Sequence, residues 1–298
     1  MSVPAAYLGI VLIWATTPLA IQWSAQDAGF SFAVLARMAI GFAVAGLLVA
    51  AWRIGLPLHA RARRAYLLGG LSLFGAMALT YWGARFIHSG LVSVLFGLAP
   101  LMTSALARLL RMEGPLRAHQ WAGILLGIAG LGIIFLHGRA FASPHGLAGL
   151  AAVLMAVLVY SGGLVGLKRI GDDSPPLATT VGTLGVSLPL FGALWWVADG
   201  SQPALPGLRS GAAIVYLGVF GSVIGFAMYY YVIKHLSASR IALITLITPV
   251  IALLLGNALN GEAVGLRLAA GTASILGGLL LHQGPLLLRS LRAAGRDA

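Results

Sequence analysis

Cysteine is absent from the 298 residues, which removes disulfides, thiol nucleophiles and cysteine-based metal sites at once. Charge is scarce as well. Lys, Arg, Asp and Glu together make up 9% of the chain, against the roughly one quarter that covers a soluble surface. A water-soluble fold of this length is therefore excluded. The 59% of apolar and aromatic residues must have another solvent. They fall into ten stretches of about 20 residues, each long enough to cross roughly 30 Å of hydrocarbon as a helix.

The stretches lie near residues 4–23, 31–52, 65–84, 88–107, 120–137, 146–167, 177–198, 210–233, 241–259 and 268–287. Ten spans in 298 residues leave about 30 residues for each span with its loop, so no soluble sensor or catalytic domain fits between them. The first stretch follows Met1-Ser2-Val3 without a basic residue. It is expected to be a retained helix, since a signal peptide opens on a basic region and has a shorter apolar core.

Net charge is +12, a value met in nucleic-acid binders, but its distribution points to a membrane. Sorted by alternate loops, fourteen of the 19 Lys and Arg fall on one side: Arg53, Arg61, Arg63, Arg64, Arg108, Arg111, Arg117, Lys168, Arg169, Lys234, Arg240, Arg289, Arg292 and Arg296. Five, namely Arg37, Arg85, Arg139, Arg209 and Arg267, fall on the other. The positive-inside rule predicts that the larger set and both termini are cytoplasmic. The basic excess then faces anionic lipid head groups, and no nucleic-acid partner is expected.

An ungapped register at an offset of 149 residues places Tyr81 on Tyr230, Arg85 on Lys234, Pro100 on Pro249 and Glu113 on Glu262. The expected fold is all-α and integral to the membrane. Residues 1–142 form a first five-helix repeat and residues 143–298 a second one with a cytoplasmic tail. Five is odd, so the second copy enters from the opposite side. Inverted repeats of this kind are a common architecture of secondary transporters, because two similar halves allow two access states of nearly equal energy.

Trp14-Ala15-Thr16-Thr17-Pro18 in the first span, Pro100 and Pro249 in the fourth and ninth, and the loop glutamates Glu113 and Glu262, each before a Gly-rich span, carry a family resemblance over nearly the whole chain. The sequence resembles the ten-helix EamA branch of the drug/metabolite transporter superfamily. Its aromatic residues make it similar, within that branch, to the bacterial amino-acid exporters of the YddG type. The resemblance implies an inner-membrane exporter of aromatic and other neutral amino acids or similar small metabolites, working by alternating access. Nucleotide sugars, other metabolites and hydrophobic cationic drugs are the alternative substrates, and a channel is the alternative mechanism.

Pro18, Pro100, Pro189 and Pro249 lie inside spans, where proline frees a carbonyl and kinks the helix. Such a kink either improves packing or acts as a pivot. The pairing of Pro100 with Pro249 favours hinges, with Pro18 as a third. Gly123 with Gly127, Gly162 with Gly166 and Gly221 with Gly225 have the spacing that lets helix backbones approach, and read as packing contacts.

Trp23, Trp52, Trp121, Trp195 and Trp196 near span ends fit an interfacial belt. Trp14, Met77, Tyr81, Trp82, Tyr160 and Tyr230 lie deeper or on one helical face. With the hydroxyl of Thr17 they are the candidate substrate-binding residues, holding a flat or apolar solute by stacking and dispersion.

Arg37 stands about six residues inside the second span. There a cation snorkels to the outer face, pairs with Asp27 or meets an anionic group at the outer mouth. Glu113 and Glu262 precede spans whose N-termini they can complement. His88 reads as interfacial.

All seven acids fall in loops, tails or span ends, so no buried acid is expected in the cavity. That lowers the cationic-drug reading. It also favours a facilitator or exchanger over a proton pump, unless a histidine couples protons. No paired acids, His-rich set or Ser/His arrangement marks an intramembrane enzyme. Neither a metal nor a cofactor is expected, the partners are a small-molecule substrate and the lipid bilayer, and the oligomeric state stays open, a monomer being plausible.

Overall fold

Proline and glycine punctuate the chain where apolar stretches start and stop. In the computed structural model residues 2–112, 114, 116–135, 144–198, 205–236 and 238–294 are described, apart from the side chains at 230, 233, 234, 238–242 and 285–294. The helices are α1 (Val3–Ser24), α2 (Phe30–Ala51), α3 (Ala60–Gly83), α4 (Ser89–Phe96), α5 (Ala99–Leu109), α6 (Ala118–Phe135), α7 (Gly146–Ile170), α8 (Pro176–Ala198), α9 (Leu208–Tyr216), α10 (Gly225–His235), α11 (Ala238–Asn260) and α12 (Leu266–Ala294). A π-helical stretch, Leu217–Ile224, joins α9 to α10. Pro4 occupies the first turn of α1, where its missing N–H costs no helical bond. Gly171 ends α7 in the left-handed conformation, at φ 59°.

Eight spans are long and apolar enough to cross a membrane: α1, α2, α3, α4 with α5, α7, α8, α9 through the π stretch to Tyr229, and Leu243–Asn260 of α11. The 18-residue α6 and the 29-residue α12 complete ten. Each coincides with one of the ten apolar stretches. Among the described residues there is no strand. Exposed leucines such as Leu8, Leu47, Leu125 and Leu254 form the lipid-facing surface.

The helix contacts repeat from half to half. The third span packs on the sixth, α3 on α7, as the eighth packs on the first, the π stretch and its flanking helices on α1. The repeat mates α6 and α12 pack on each other, and so do α4 and α11. Between α6 and α12 the backbones nearly touch: a Cβ on Gly123 would lie 2.5 Å from the Gly278 carbonyl oxygen. Gly123 thus packs as its spacing suggested. Gly162 does not, since a side chain there would meet open space. Its neighbour Gly163 is the one pressed on α3, with Ser72 Cβ 2.5 Å from where its own Cβ would stand.

Two spans are irregular. The fourth breaks at Gly97–Leu98, and Pro100 sits in the first turn of α5, a position where proline starts a helix without straining it. In the eighth, Ser222 Oγ donates 3.0 Å to the Leu217 carbonyl, five residues back, inside the π stretch. Local π geometry of this kind is rare and often marks a functional site.

Candidate substrate cavity

The helix order brings the ends of α1, α3 and α11 and the start of α4 to one face of the membrane. A cavity of about 460 Å³ opens among them. From α1 it is lined by Ile21 and Gln22, with Gln26 just beyond; from α3 by Tyr81, with Arg85 in the turn that follows. His88 lies at the start of α4, and Asn260 and Glu262 lie at the end of α11.

Polar groups at this mouth are tied into one network. Gln22 Nε2 donates to the carbonyls of Ala84 (3.0 Å) and Ile87 (2.7 Å), fixing α1 to the turn between α3 and α4. Asn260 Nδ2 donates to Gln22 Oε1 (3.2 Å) and Glu262 Oε1 (3.0 Å), and Trp23 Nε1 donates to Asn260 Oδ1 at 3.3 Å.

Glu262 is 6% exposed, so the cavity does carry a buried carboxylate, contrary to the expectation from span positions. Its oxygens accept from the backbone N–H groups of Ser89 (3.0 Å) and Gly90 (3.2 Å). The carboxylate therefore complements a helix N-terminus as anticipated, but that of α4 in the other half, not that of the span following it in sequence. Its mate Glu113 lies outside the described residues. His88, read as interfacial, lines the cavity.

Arg85 faces aromatic rings, with its guanidinium carbon 4.4 Å from the Phe30 centroid, 5.0 Å from Phe86 and 5.7 Å from Trp82. These ring faces help to hold a cation at the rim, and Arg85 Nε also donates to the Trp82 carbonyl at 3.3 Å.

Arg37 neither snorkels nor pairs with Asp27. It is 5% exposed, with Nε donating to Ser222 Oγ at 3.2 Å and Nη1 to the Tyr81 hydroxyl at 3.5 Å. Asp27 accepts instead from Ser210 Oγ (2.8 Å) and the Gly207 N–H (3.2 Å).

The candidate binding residues are spread over several environments, and of them Tyr81 lines this cavity. Met77 packs on the main core one turn before it. Trp82 meets Phe86 edge-on at 5.0 Å. Trp14 lies against Tyr229 of α10, with ring centroids 5.0 Å apart, and Thr17 donates to the Ile13 carbonyl at 2.6 Å. Tyr160 meets Phe96, at the end of α4, edge-on at 6.1 Å. Tyr230 is in α10, its side chain outside the described residues. Of the candidate hinges, Pro18 is buried within α1. Pro249, inside the continuous α11, approaches the break in the fourth span: its Cγ is 3.6 Å from where a Gly97 Cβ would stand.

Gln22, Asn260 and the π stretch were not singled out from the sequence. The signal for the first two was present, since amides are uncommon at the ends of otherwise apolar spans. The arrangement as a whole can hold a small polar solute between groups of both signs.

A model of the EamA-like transporter family matches the chain twice, over residues 3–136 and 147–282. A Pseudomonas aeruginosa protein described as uncharacterized is 34% identical over 260 residues, 85% of this chain and 87% of that one. An uncharacterized inner membrane transporter of Escherichia coli K12, YedA, is 28% identical over 264 residues, 87% and 83% of the two chains. A probable terminal-alkyne amino-acid exporter of Streptantibioticus cattleyicolor is 26% identical over 283 residues, 91% and 93%. One crystal structure superposes with a TM-score of 0.65 over 97% of this chain and 98% of that one, at 22% identity, a likeness of fold.

Proposed function

The chain belongs to the EamA-like transporter family, and from that premise we propose that it exports neutral amino acids, aromatic ones included, across a bacterial inner membrane by alternating access. The observation that carries this reading is the cavity of about 460 Å³ open to one face of an inverted-repeat bundle, with Glu262 and Arg85 at its mouth. Groups of both signs suit a zwitterion. The likeness to a probable amino-acid exporter points the same way.

By the fourteen-to-five division of basic residues, both termini are cytoplasmic and the cavity faces outward. We take residues 1–142 and 143–298 as the two halves that rock past each other, with Pro100 and Pro249 as the paired pivots and Pro18 as a third. We take Trp14, Thr17, Met77, Tyr81, Trp82, Tyr160 and Tyr230 as the largely aromatic path the solute meets as the halves rock, Tyr81 being the member that lines the open cavity. Among the described residues Glu262 is the one carboxylate lining the cavity, and it is taken up by Ser89, Gly90 and Asn260, so that in this reading transport runs down the substrate's own gradient.

The test is radiolabelled phenylalanine uptake into proteoliposomes, with and without an imposed pH difference. Saturable uptake, independent of the proton gradient and accelerated by unlabelled amino acid on the far side, is the expected result. Strict dependence on the gradient defeats the facilitator claim, and absence of trans-stimulation leaves a channel.

A further inference from the structure

Arg37 is a charge without an evident reason to be where it is. Seven residues into α2 at 1.5 Å per residue, it stands about 10 Å below the end of its helix. Arginine stays protonated in proteins, and a buried cation at such depth is costly unless something negative meets it. Yet its two hydrogen-bond partners, the hydroxyls of Ser222 and Tyr81, are both neutral. Among the described residues no carboxylate lies within ion-pair distance of the guanidinium, and Asp27, the acid closest along the chain, is held by Ser210 and Gly207.

A purely architectural role would be to pin the π stretch to α2. Ser222 is already bonded within its own stretch, to the Leu217 carbonyl, and a neutral amide would reach it without the desolvated charge. A fixed cation with donors to spare is instead what an anion-binding site looks like before its anion arrives.

The position favours that reading. Tyr81 lines the cavity and its hydroxyl accepts from Arg37 Nη1, so a solute in the cavity is one residue away from the guanidinium. On the other side stands Gly221, where even a Cβ would lie 3.4 Å from Arg37 Nη2. The absence of a side chain there keeps room beside the second amino group. A planar guanidinium matches a carboxylate with two parallel hydrogen bonds.

We propose that Arg37, with the Tyr81 hydroxyl, is the carboxylate-binding subsite of the transport path, and that transported solutes must carry a carboxylate. This deepens the amino-acid reading and rests on it for the remainder of the solute. The solute's carboxylate displaces the Tyr81 hydroxyl from Nη1, and the guanidinium gains the negative partner that none of the described residues provides.

The experiment uses purified full-length protein in a methanesulfonate buffer and reads the thermal midpoint with four probes: phenylalanine, phenylacetate, phenethylamine and inorganic phosphate. Wild type is expected to be stabilised by the two carboxylates and not by the amine or by phosphate. Arg37→Gln is expected to melt at or above the wild-type midpoint, because a buried unpaired charge is gone, and to lose the response to both carboxylates. Arg37→Lys, which keeps the charge but not the fork, needs about tenfold more carboxylate for the same shift, the factor that corresponds to losing one charge-assisted hydrogen bond. Should Arg37→Gln fail to fold, Arg37→Lys and the wild-type probe series decide.

A wild-type response to phenylacetate in either Arg37 variant overturns the proposal, as does a wild type that ignores carboxylates or answers phosphate equally. Uptake into proteoliposomes separates this outcome from that of the amino-acid reading. Arg37-dependent stabilisation without phenylalanine transport supports the subsite and sinks the amino-acid substrate. Phenylalanine transport with unchanged apparent affinity in both Arg37 variants does the reverse.

Discussion

Each half of the bundle holds one irregular membrane span, and the two halves place it differently. In the first half α3 runs unbroken for 24 residues while the span after it splits into α4 and α5. In the second half the mate of α3 carries the π stretch, and the mate of the split span, α11, continues through Pro249. Two inverted copies bent in the same way would treat both membrane faces alike. Opening one face only requires the copies to differ, and the difference lies in the backbone of these two spans more than in their composition. The opposite-facing state follows if the halves exchange their irregularities, with α11 yielding near Pro249 and the fourth span straightening at Gly97.

The all-or-none way to break the comparison is topological. If the halves are inverted, reporter fusions at residues 142 and 298 report opposite sides of the membrane, the second one cytoplasmic. Fusions at both sites active on the same side would remove the inverted relation and with it the exchange of geometries.

A large effect is expected where the halves are joined. Glu262→Ala leaves the N–H groups of Ser89 and Gly90 without an acceptor and removes a partner of Asn260, a loss of about 3 kcal/mol from buried, charge-assisted bonds. The thermal midpoint in detergent should fall accordingly. Glu262→Gln keeps one accepting oxygen and should lose roughly half as much. An unchanged midpoint in the alanine variant would mean that the mouth does not depend on this contact.

The prolines sharpen the comparison further. Pro249 interrupts the bonding of a continuous helix, whereas Pro100 starts α5 and interrupts nothing. Both alanine variants should slow turnover more than they weaken substrate binding, with Pro249→Ala slower than Pro100→Ala. Turnover at the wild-type rate in both leaves the static-kink reading alone.

The smallest effects belong to the aromatic path. Alanine at Trp14, Trp82, Tyr160 or Tyr230 should cost about 1 kcal/mol per lost contact, a several-fold weaker apparent affinity for tryptophan and less for alanine as substrate. Equal losses for both substrates would assign these residues to packing.

The ten spans were legible because hydropathy acts along the chain: α1 at Val3–Ser24 and α2 at Phe30–Ala51 depart by a residue or so from the apolar stretches 4–23 and 31–52. Tyr81 was legible too, since Met77 one turn earlier and a repeat mate marked its face. What depends on neighbours was not. Whether Arg37 snorkels or is buried is decided by Ser222, 185 positions away. Glu262 was expected to serve the helix beside it and serves one 172 to 173 positions back. The π stretch has no local signature, since Leu217–Ile224 reads as ordinary apolar helix. The shift from Gly162 to Gly163 has the same origin, because only the partner helix tells which face of α7 is pressed.

The reach of Glu262 into α4 bears on how such a molecule can have arisen and how it can change. An ancestor made of two identical five-helix chains could exchange partners freely. Once the carboxylate of one half completes the first turn of a helix in the other, the halves become heritable complements. A drift in either register would be felt at the mouth of both, so the linker between them is free to vary in a way that this single glutamate is not.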